Sequence, residues 1–560
     1  MKKRILFLLL VLGAFVQNEI AAQRYLKPVF ARNEIAVNHD TFGVNATLLY
    51  QSLFGEAIPQ FLQMDVYRPA SDTETNRPLV LYFHTGNFGP FKNPDPTSPV
   101  QNGFNGSCGG QINDSAAVEI CTRLAQMGYV AASCDYRLGW LPGATEQQLR
   151  RYTLINAAYR GVQDATTAIR YFRRSVAEQG NKYGVDPTRI VLFGQGTGGY
   201  ISLNTALLDD YSKIPLSANG KFIWNPRTVT GSPCAPDSNI PMVIEQVNGN
   251  LFGTTVGVSP ITDPMNGCML IKLDTLCYPN WPGYSSDFNL AVNLGGALGD
   301  SAWVDNAMAN PQPALISFHV PNDPNAPYNI GTLSVPGQDP PLQVVEVSGS
   351  YMVQGFMEAD GQQDVLVNAN DNYLDLQANQ LAAFANSPAG LQDPRVGLYP
   401  FVMPPDTIKP NEPLSSAPWE WTSFPGLPPI PGVTPGFVCN TDKADAMKYI
   451  DTIMRFYAPR ACFALGLQSC IDQVLGSKEP LAKHIEVLAA PNPATDQIRL
   501  SSEEEILAIQ VIDKNGRLVR NVNSINNTSY TLLRNGLPVG LYVVKLSFKE
   551  GFVTKMVSFN

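Results

Sequence analysis

Charged residues and histidines are few in this sequence, and it has no excess of basic residues. Charged residues make up 16% of the 560 positions, the chain has four histidines, and its formal net charge is −9. A nucleic-acid partner requires a basic face, so we expect none. Because 560 residues exceed what one core usually needs, we expect one large domain and at least one smaller one.

Long hydrophobic runs are also missing, except at the N-terminus. There, basic residues at positions 2–4 precede an apolar run from Ile5 to Val16, and small residues follow at Ala21 and Ala22. This layout predicts a secretory signal peptide over residues 1–22. The apolar run of about 12 residues is too short to span a bilayer. We therefore predict an exported protein without a transmembrane segment.

The sequence has no CxxC pair and no histidine spacing typical of a zinc site, so we predict neither a metal nor a cofactor. Its nine cysteines nevertheless suggest disulfides, as in other exported proteins. Local pairing suits Cys268 with Cys277 and Cys462 with Cys470, and the odd total leaves at least one thiol free or intermolecular. The other cysteines, which could pair across loops, are Cys108, Cys121, Cys134, Cys234 and Cys439. Cys134 lies in a buried strand pattern and can equally serve as a small apolar residue.

Strand and helix patterns alternate from about residue 60 to 470. The predicted strands lie at 78–84, 129–136, 189–194, 288–300 and 314–320, and the predicted helices at 115–127, 156–174 and 442–457. Apolar runs without polar alternation are typical of parallel strands that are buried on both faces. This order predicts an α/β fold with a doubly wound, mostly parallel sheet over residues 23–477. Two long insertions, 205–285 and 330–440, interrupt it.

The composition changes at about residue 478. From there to residue 560 the sequence consists of short strand patterns and turns, with a hairpin signal at Asn515–Gly516. The strand patterns lie at 498–500, 507–513, 518–519, 529–532, 541–548 and 552–559. Residues 478–560 are therefore predicted to form a small all-β sandwich.

Five segments of the larger domain carry a family resemblance in their order and spacing. They are FHTGNFG (83–89), CDYRLGW (134–140), GVQDATTAIRYFR (161–173), YGVDPTRIVLFGQGTGG (183–199) and FHVPNDPNAPY (318–328). Together they resemble the carboxylesterase branch of the α/β-hydrolase superfamily. The resemblance implies a sheet whose nucleophilic serine stands on a sharp strand-to-helix turn, assisted by a histidine and an acid.

The C-terminal segment resembles the sorting domain of the type IX secretion system. The matching motifs are PNPA (491–494), DKNGRLV (513–519), GLPVGLYVVKL (536–546) and KMVSF (555–559). The resemblance implies recognition by the type IX machinery, passage across an outer membrane and removal of the domain afterwards. The cargo would then be released or held at the cell surface. The alternative is an ordinary β-sandwich that serves as a binding module.

The turn that should carry the nucleophile lacks a serine. Gly194-Gln195-Gly196-Thr197-Gly198 fills the five positions of the G-x-S-x-G motif, so Gly196 stands at the tip. Thr197 would begin the following helix and point elsewhere. Ser202 lies more than one turn further on and should face away. The family uses the backbone N–H of the Thr197 position as an oxyanion donor, not its side chain.

The base is missing as well. The family places its histidine after the last strand, a window that here spans roughly residues 345–440, and none of the four histidines lies there: His39, His84, His319 and His484. The segment SSAPWEWTSF (415–424) can be the remnant of the histidine loop, with Ser or Ala in place of the imidazole.

The acid and part of the oxyanion loop remain. Asp323 matches the family's carboxylate, although Asp before Pro also caps turns, and without a histidine to orient we favour the capping role. The family's His-Gly-Gly loop is altered here to His84-Thr85-Gly86-Asn87, which leaves donor capacity at Gly86 and Asn87 beside Thr197.

These losses predict a secreted, surface-displayed protein without serine-hydrolase activity, which acts in binding, adhesion or structure towards an unidentified surface or extracellular partner. One alternative is an ester hydrolase with rearranged residues, using Thr197 or a metal, for which NANDNYLD (368–375) offers oxygen ligands. Another is that the cleft remains a small-ligand pocket. Its possible walls are Phe88, Trp140, Trp419 and Trp421, which more often pack in a core.

Overall fold

The structure is a computed structural model. It describes residues 23–49, 56–86, 88–89, 109–323, 325–335, 340–369, 374–375, 378, 394–401, 416–421, 440, 442–476, 485–513, 518–549 and 551–560. The described residues fall into two compact units, one within 1–368 and 395–467 and the other within 369–394 and 468–560. The predicted signal peptide lies outside the described residues. In the part of the chain that is described, no helix is long and apolar enough to cross a membrane.

The first unit alternates strands and helices. Its strands are β1 (Ile35–Leu49), β2 (Glu56–Pro69), β3 (Arg77–Phe83), β4 (Val130–Cys134), β5 (Val185–Gln195), β6 (Ile223–Trp224), β7 (Ile240–Pro241), β8 (Gly257–Asp263), β9 (Met269–Cys277), β10 (Leu290–Leu294), β11 (Ala314–His319), β12 (Ile330–Val335), β13 (Leu342–Ser348) and β14 (Leu398–Pro400). Its helices are α1 (Ser115–Gln126), α2 (Gln147–Glu178), α3 (Thr197–Leu207), α4 (Pro226–Thr230), α5 (Glu245–Asn248), α6 (Ser350–Ala359) and α7 (Lys443–Ala464).

The central sheet has eight strands in the order β1-β2-β4-β3-β5-β10-β11-β14. The six strands from β4 to β14 are parallel, whereas β2 pairs antiparallel with both β1 and β4. Every residue of β3, β4, β10 and β11 is buried, which explains their uninterrupted apolar runs. The predicted α/β fold with a mostly parallel sheet is confirmed.

Helix α2 is longer than the predicted helix at 156–174. Its first turns are held by tertiary contacts that the periodicity does not show. Arg150 donates to the carbonyl of Gln343 at 2.8 Å and Gln147 to that of Val344 at 3.3 Å, both in β13. The strand predicted at 288–300 is shorter, because β10 ends at Leu294 and Gly295 turns the chain with a φ of 70°.

One predicted disulfide is wrong. Cys268 bonds to Cys234 with a Cα–Cα distance of 5.3 Å, and Cys277 is a free, buried thiol. Cys268 and Cys277 lie at opposite ends of β9, and nine residues of extended strand separate them by roughly 30 Å. Cys121 and Cys134 are also free and buried, so neither pairs across loops, and Cys134 has the role of a small apolar residue. Cys462 and Cys470 are each disulfide-bonded. Cys108 and Cys439 lie outside the described residues.

The described part of the second unit contains helix α8 (Gln468–Gly476) and seven strands. The strands are β15 (Val487–Ala490), β16 (Gln497–Ile506), β17 (Ala508–Asp513), β18 (Leu518–Val522), β19 (Asn527–Leu533), β20 (Gly540–Phe548) and β21 (Gly551–Phe559). They form two antiparallel sheets, β15-β16-β19 and β18-β17-β20-β21. Alternate side chains such as Ile498, Leu500, Val544 and Leu546 are buried in a shared core. The predicted all-β sandwich is confirmed, while the turn at Asn515–Gly516 lies outside the described residues.

Candidate active site

The candidate site lies at the carboxyl ends of the parallel strands. Thr85 follows β3, Tyr136 follows β4, Gly196 follows β5, Gly295 follows β10 and Asp323 follows β11. Because parallel strands end at one edge of a sheet, loops from distant parts of the sequence meet there. This edge is also where ligands bind in open α/β sheets.

The strand-to-helix turn is as tight as the motif requires. Strand β5 ends at Gln195, helix α3 begins at Thr197, and Gly196 between them has φ 52° and ψ −112°. A β-carbon placed on Gly194 would overlap the carbonyl of Gly198, and one placed on Gly198 would overlap that of Phe83. The turn therefore depends on glycine at both flanking positions as well as on a positive φ at its tip.

Thr85 occupies the space in which the nucleophile's side chain would stand. A β-carbon on Gly196 would overlap Thr85 Oγ1 and lie 2.8 Å from Thr85 Cβ. The backbone N–H of Thr197 donates to Thr85 Oγ1 at 3.3 Å. The Thr85 hydroxyl of the altered oxyanion loop thus accepts a hydrogen bond from the turn. Its donor, the Thr197 N–H, is the group that the resemblance assigns to binding the oxyanion.

The other oxyanion residues are only partly described. Gly86 has a φ of 136° and is partly exposed, and Asn87 lies outside the described residues. The Thr85 carbonyl accepts a hydrogen bond from Tyr136 Oη at 2.8 Å, and the Tyr136 hydroxyl also contacts the Thr197 side chain. Thr197 is therefore buried and committed to core contacts, as its position at the start of α3 predicts.

Ser202 is turned away from the tip. Its hydroxyl donates to backbone carbonyls, with Oγ 2.9 Å from the oxygen of Val292 in β10 and 3.1 Å from that of Gly199. The side chain is fully buried against the sheet. This arrangement agrees with the expectation that Ser202 faces away from the site.

Asp323 caps a turn after β11. Its Oδ1 accepts the backbone N–H groups of Asn325 at 2.7 Å and Ala326 at 3.2 Å, which is an Asx turn. Part of the residue is accessible to solvent, yet desolvation by the surrounding protein raises the pKa of its carboxyl to about 8. These bonds show a capping role for Asp323.

The segment predicted to replace the histidine loop lies beside this acid. Ser416 Oγ accepts a hydrogen bond from Asn325 Nδ2 at 2.9 Å. A β-carbon placed on Gly295 would lie 3.4 Å from Asp323 Oδ2 and 3.5 Å from the Ser416 carbonyl oxygen. A serine and its backbone thus approach the carboxylate in the region where the resemblance would place an imidazole.

The three described histidines have core or surface partners. His319 is fully buried between Ser350 Oγ at 2.7 Å and the Ala326 carbonyl at 3.1 Å, and burial lowers its pKa to about 4. His84 stacks on Tyr136 with ring centroids 4.6 Å apart, and its Nε2 lies 3.4 Å from Asp135. His39 in β1 contacts Asp65 in β2 at 2.9 Å, and this contact is exposed to solvent. His484 lies outside the described residues.

Sequence reasoning missed Glu420, a buried carboxyl beside the turn. Its Oε1 accepts the N–H of Ala116 in α1 at 3.0 Å, and its Oε2 accepts from Gln195 Nε2 at 3.1 Å. Tyr82 in turn donates its hydroxyl to Gln195 Oε1. Burial, with the nearby charge of Asp114, raises the pKa of Glu420 to about 7. The available signal was an acidic residue between two tryptophans in SSAPWEWTSF.

The aromatic residues considered as pocket walls mostly belong to the core. Phe88, Trp140 and Trp419 are buried, and Trp421 is partly exposed with the Lys443 ammonium 5.5 Å from its ring centroid. Within the described ranges, no group of three or more His, Cys, Asp and Glu side chains could hold a metal ion. Residues 370–373 of the segment considered for metal binding lie outside those ranges.

A comparison with protein families gives a match within the second unit. Residues 489–559 match the family described as secretion system C-terminal sorting domain. A comparison with curated proteins gave no match.

Solved structures that are similar to the chain include three esterases. The apo form of Thermogutta terrifontis esterase 2 is 16% identical, with 58% of this chain and 80% of that chain covered and a TM-score of 0.27. A bacterial heroin esterase is 19% identical (35% and 44% covered, TM-score 0.17), and an esterase from the archaeon Pyrobaculum calidifontis is 23% identical (34% and 43% covered, TM-score 0.17). Because these TM-scores are low, the fold assignment rests on the strand order and register given above. The chain thus joins a domain with the α/β-hydrolase fold to a type IX secretion system C-terminal sorting domain, which implies secretion or display at the cell surface.

Proposed function

We propose that the exported protein is a pseudoenzyme, an α/β-hydrolase fold that performs a binding, adhesion or structural role instead of ester hydrolysis. The observation that carries this proposal is the position of Thr85, whose side chain fills the space of the missing nucleophile and accepts the Thr197 N–H. A hydrolase needs that space for an attacking group and that N–H for the oxyanion.

The surroundings of Thr85 support the same proposal. A threonine hydroxyl becomes a nucleophile only with a base within hydrogen-bond reach. The three described histidines are engaged elsewhere, and the Asp323 carboxyl accepts two backbone N–H groups. We infer that the site offers neither an attacking side chain at position 196 nor a base among the three described histidines, while Thr85 occupies the space above the turn.

The proposal is tested with short-chain p-nitrophenyl esters and a fluorophosphonate probe, which labels activated hydroxyls. We expect the purified wild-type protein to give only the background rate of hydrolysis and no labelling. Turnover that falls on Thr85→Val, Thr197→Val or Asp323→Asn would instead establish the alternative, an ester hydrolase with rearranged residues.

A reconstruction series locates the cause of inactivity. Thr85→Gly/Gly196→Ser restores room and a hydroxyl, and a third substitution, Ser416→His, adds an imidazole beside Asp323. We expect labelling to appear only in the triple variant, because the serine needs a base. Labelling of the wild type at the rate of the triple variant would contradict the proposed function.

A further inference from the structure

A hairpin outside the candidate site carries an unusual concentration of exposed apolar side chains. Strands β8 and β9 pair antiparallel, and the tip between them is tethered by the Cys234–Cys268 disulfide. The exposed fractions are 55% for Val256, 94% for Met265, 66% for Met269, 56% for Leu270, 62% for Ile271 and 61% for Leu273. Monomeric proteins rarely expose large apolar patches to water, so the concentration of these side chains in one hairpin points to an interaction surface.

Within the residues that the structure describes, the outer edge of β9 is open over its apolar part. Among the described strands, only β8 pairs with β9. Pro260 stands opposite Leu273 in that ladder, and because proline has no N–H this pair cannot exchange two hydrogen bonds. Proline in a ladder is typical of the non-hydrogen-bonded pairs, and in such a pair the N–H and C=O of the opposite residue, here Leu273, point to the outer edge. The open part ends at Leu276, whose carbonyl accepts from Arg137 Nη1 at 3.3 Å.

The charges on β9 indicate which partner is complementary to this edge. Lys272 and Asp274 flank Leu273 and form an ion pair of 3.0 Å within one chain. In an antiparallel pairing of two identical β9 strands with Leu273 opposite Leu273, Lys272 of each copy stands opposite Asp274 of the other. Opposite charges directly across a pair of strands are favourable, and a two-fold axis requires such self-complementarity.

We propose that the β8–β9 hairpin is a dimerisation surface that pairs with the same hairpin of a second copy through β9. The register between β8 and β9 shifts at Ile271, which has no partner in β8, and regular pairing holds from Lys272 to Asp274. The proposed pairing places the exposed Leu273 side chains of both copies side by side in a four-stranded sheet. It thereby joins two exposed apolar strips and uses the edge hydrogen-bonding groups that point away from β8. This inference does not depend on the proposed function of the cleft.

The experiment uses the full chain and measures mass by sedimentation equilibrium. We expect the wild type to sediment at twice the monomer mass at micromolar concentration. Lys272→Asp and Asp274→Lys place like charges across the axis, so each variant alone should sediment as a monomer. Mixed in equal amounts, the two variants should form a heterodimer, because every cross-strand pair is then opposite in charge.

Lys448→Asp is the matched control. Lys448 is also an exposed lysine in an ion pair with a nearby aspartate, Asp445, but lies in α7 away from the hairpin, so this variant should remain a dimer. Circular dichroism of each variant verifies folding. The proposal is overturned if the wild type is monomeric, if either single variant stays dimeric, or if the folded variants fail to combine when mixed.

Discussion

At the scale of single residues, the candidate site is defined by a coupled pair, Gly196 and Thr85. Serine in the family's position would need both a positive φ and free space above the turn, and here the space is taken. Glycine tolerates this backbone conformation without strain, and Thr85 occupies the space that a side chain at position 196 would need. The effects of mutations at positions 85 and 196 on the free energy of unfolding should therefore be coupled.

A serine at position 196 alone should destabilise the protein. Gly196→Ser combines backbone strain of about 1–3 kcal/mol with a collision against Thr85, so the free energy of unfolding should fall by at least that amount. Thr85→Gly in the same chain should recover part of the loss. Denaturant unfolding measures both values, and Gly143→Ser serves as the control, because no atom lies within 4 Å of a β-carbon placed there. A Gly196→Ser variant as stable as the wild type would contradict the assigned position of Thr85.

Glu420 should make stability depend on pH. Its pKa in the folded protein is raised to about 7 from an ordinary value of 4.5, so the stability it contributes is complete below pH 4.5 and is lost as pH rises through 7. Glu420→Gln keeps an uncharged group at this place. The variant should therefore lose less stability than the wild type between pH 5 and pH 8, as measured by urea unfolding at each pH. Parallel losses in both proteins would show that Glu420 does not titrate in this window.

At the scale of elements, the sequence predicts those strands and helices that are determined by the pattern of their own residues. The buried strands β3, β4, β10 and β11 were visible as uninterrupted apolar runs. Six of the seven described strands of the second unit were visible as short strand patterns, and β15 was missed. The first turns of α2 were not visible in this way, because contacts with β13 hold them. Gly196 at the turn was readable from the motif, whereas Thr85 in the vacated space and Glu420 beside Gln195 depend on loops that meet only after folding.

The disulfide of the hairpin illustrates the same limit. Sequence proximity favoured Cys268 with Cys277, but an extended strand holds these two residues apart, and a residue 34 positions upstream supplies the partner. Peptide mapping of the unreduced protein should recover a Cys234–Cys268 link. The Cys277 thiol, which is buried, should react with iodoacetamide only after denaturation. Rapid alkylation of Cys277 in the native protein would contradict this arrangement.

At the scale of the whole molecule, the residues that match a sorting domain and the α/β sheet lie in separate units. Among the described residues, the buried core of the sandwich lies between Val487 and Phe559, and it includes Ile498, Val511 and Leu546. The eight-stranded sheet of the first unit takes all its strands from residues 35–400. Each unit therefore has its own hydrophobic core and is expected to fold by itself.

Removal of the sorting domain should consequently abolish export without unfolding the rest. In a host with a type IX secretion system, a chain that ends at residue 476 should accumulate inside the outer membrane, whereas the full chain reaches the surface or the medium. Cell fractionation measures this distribution. Thermal unfolding of the purified truncated chain should still show one cooperative transition, because the large sheet and its helices are intact. A truncated protein that reaches the surface would show that export does not require residues 489–559. A truncated protein that fails to fold would show that the first unit requires the second.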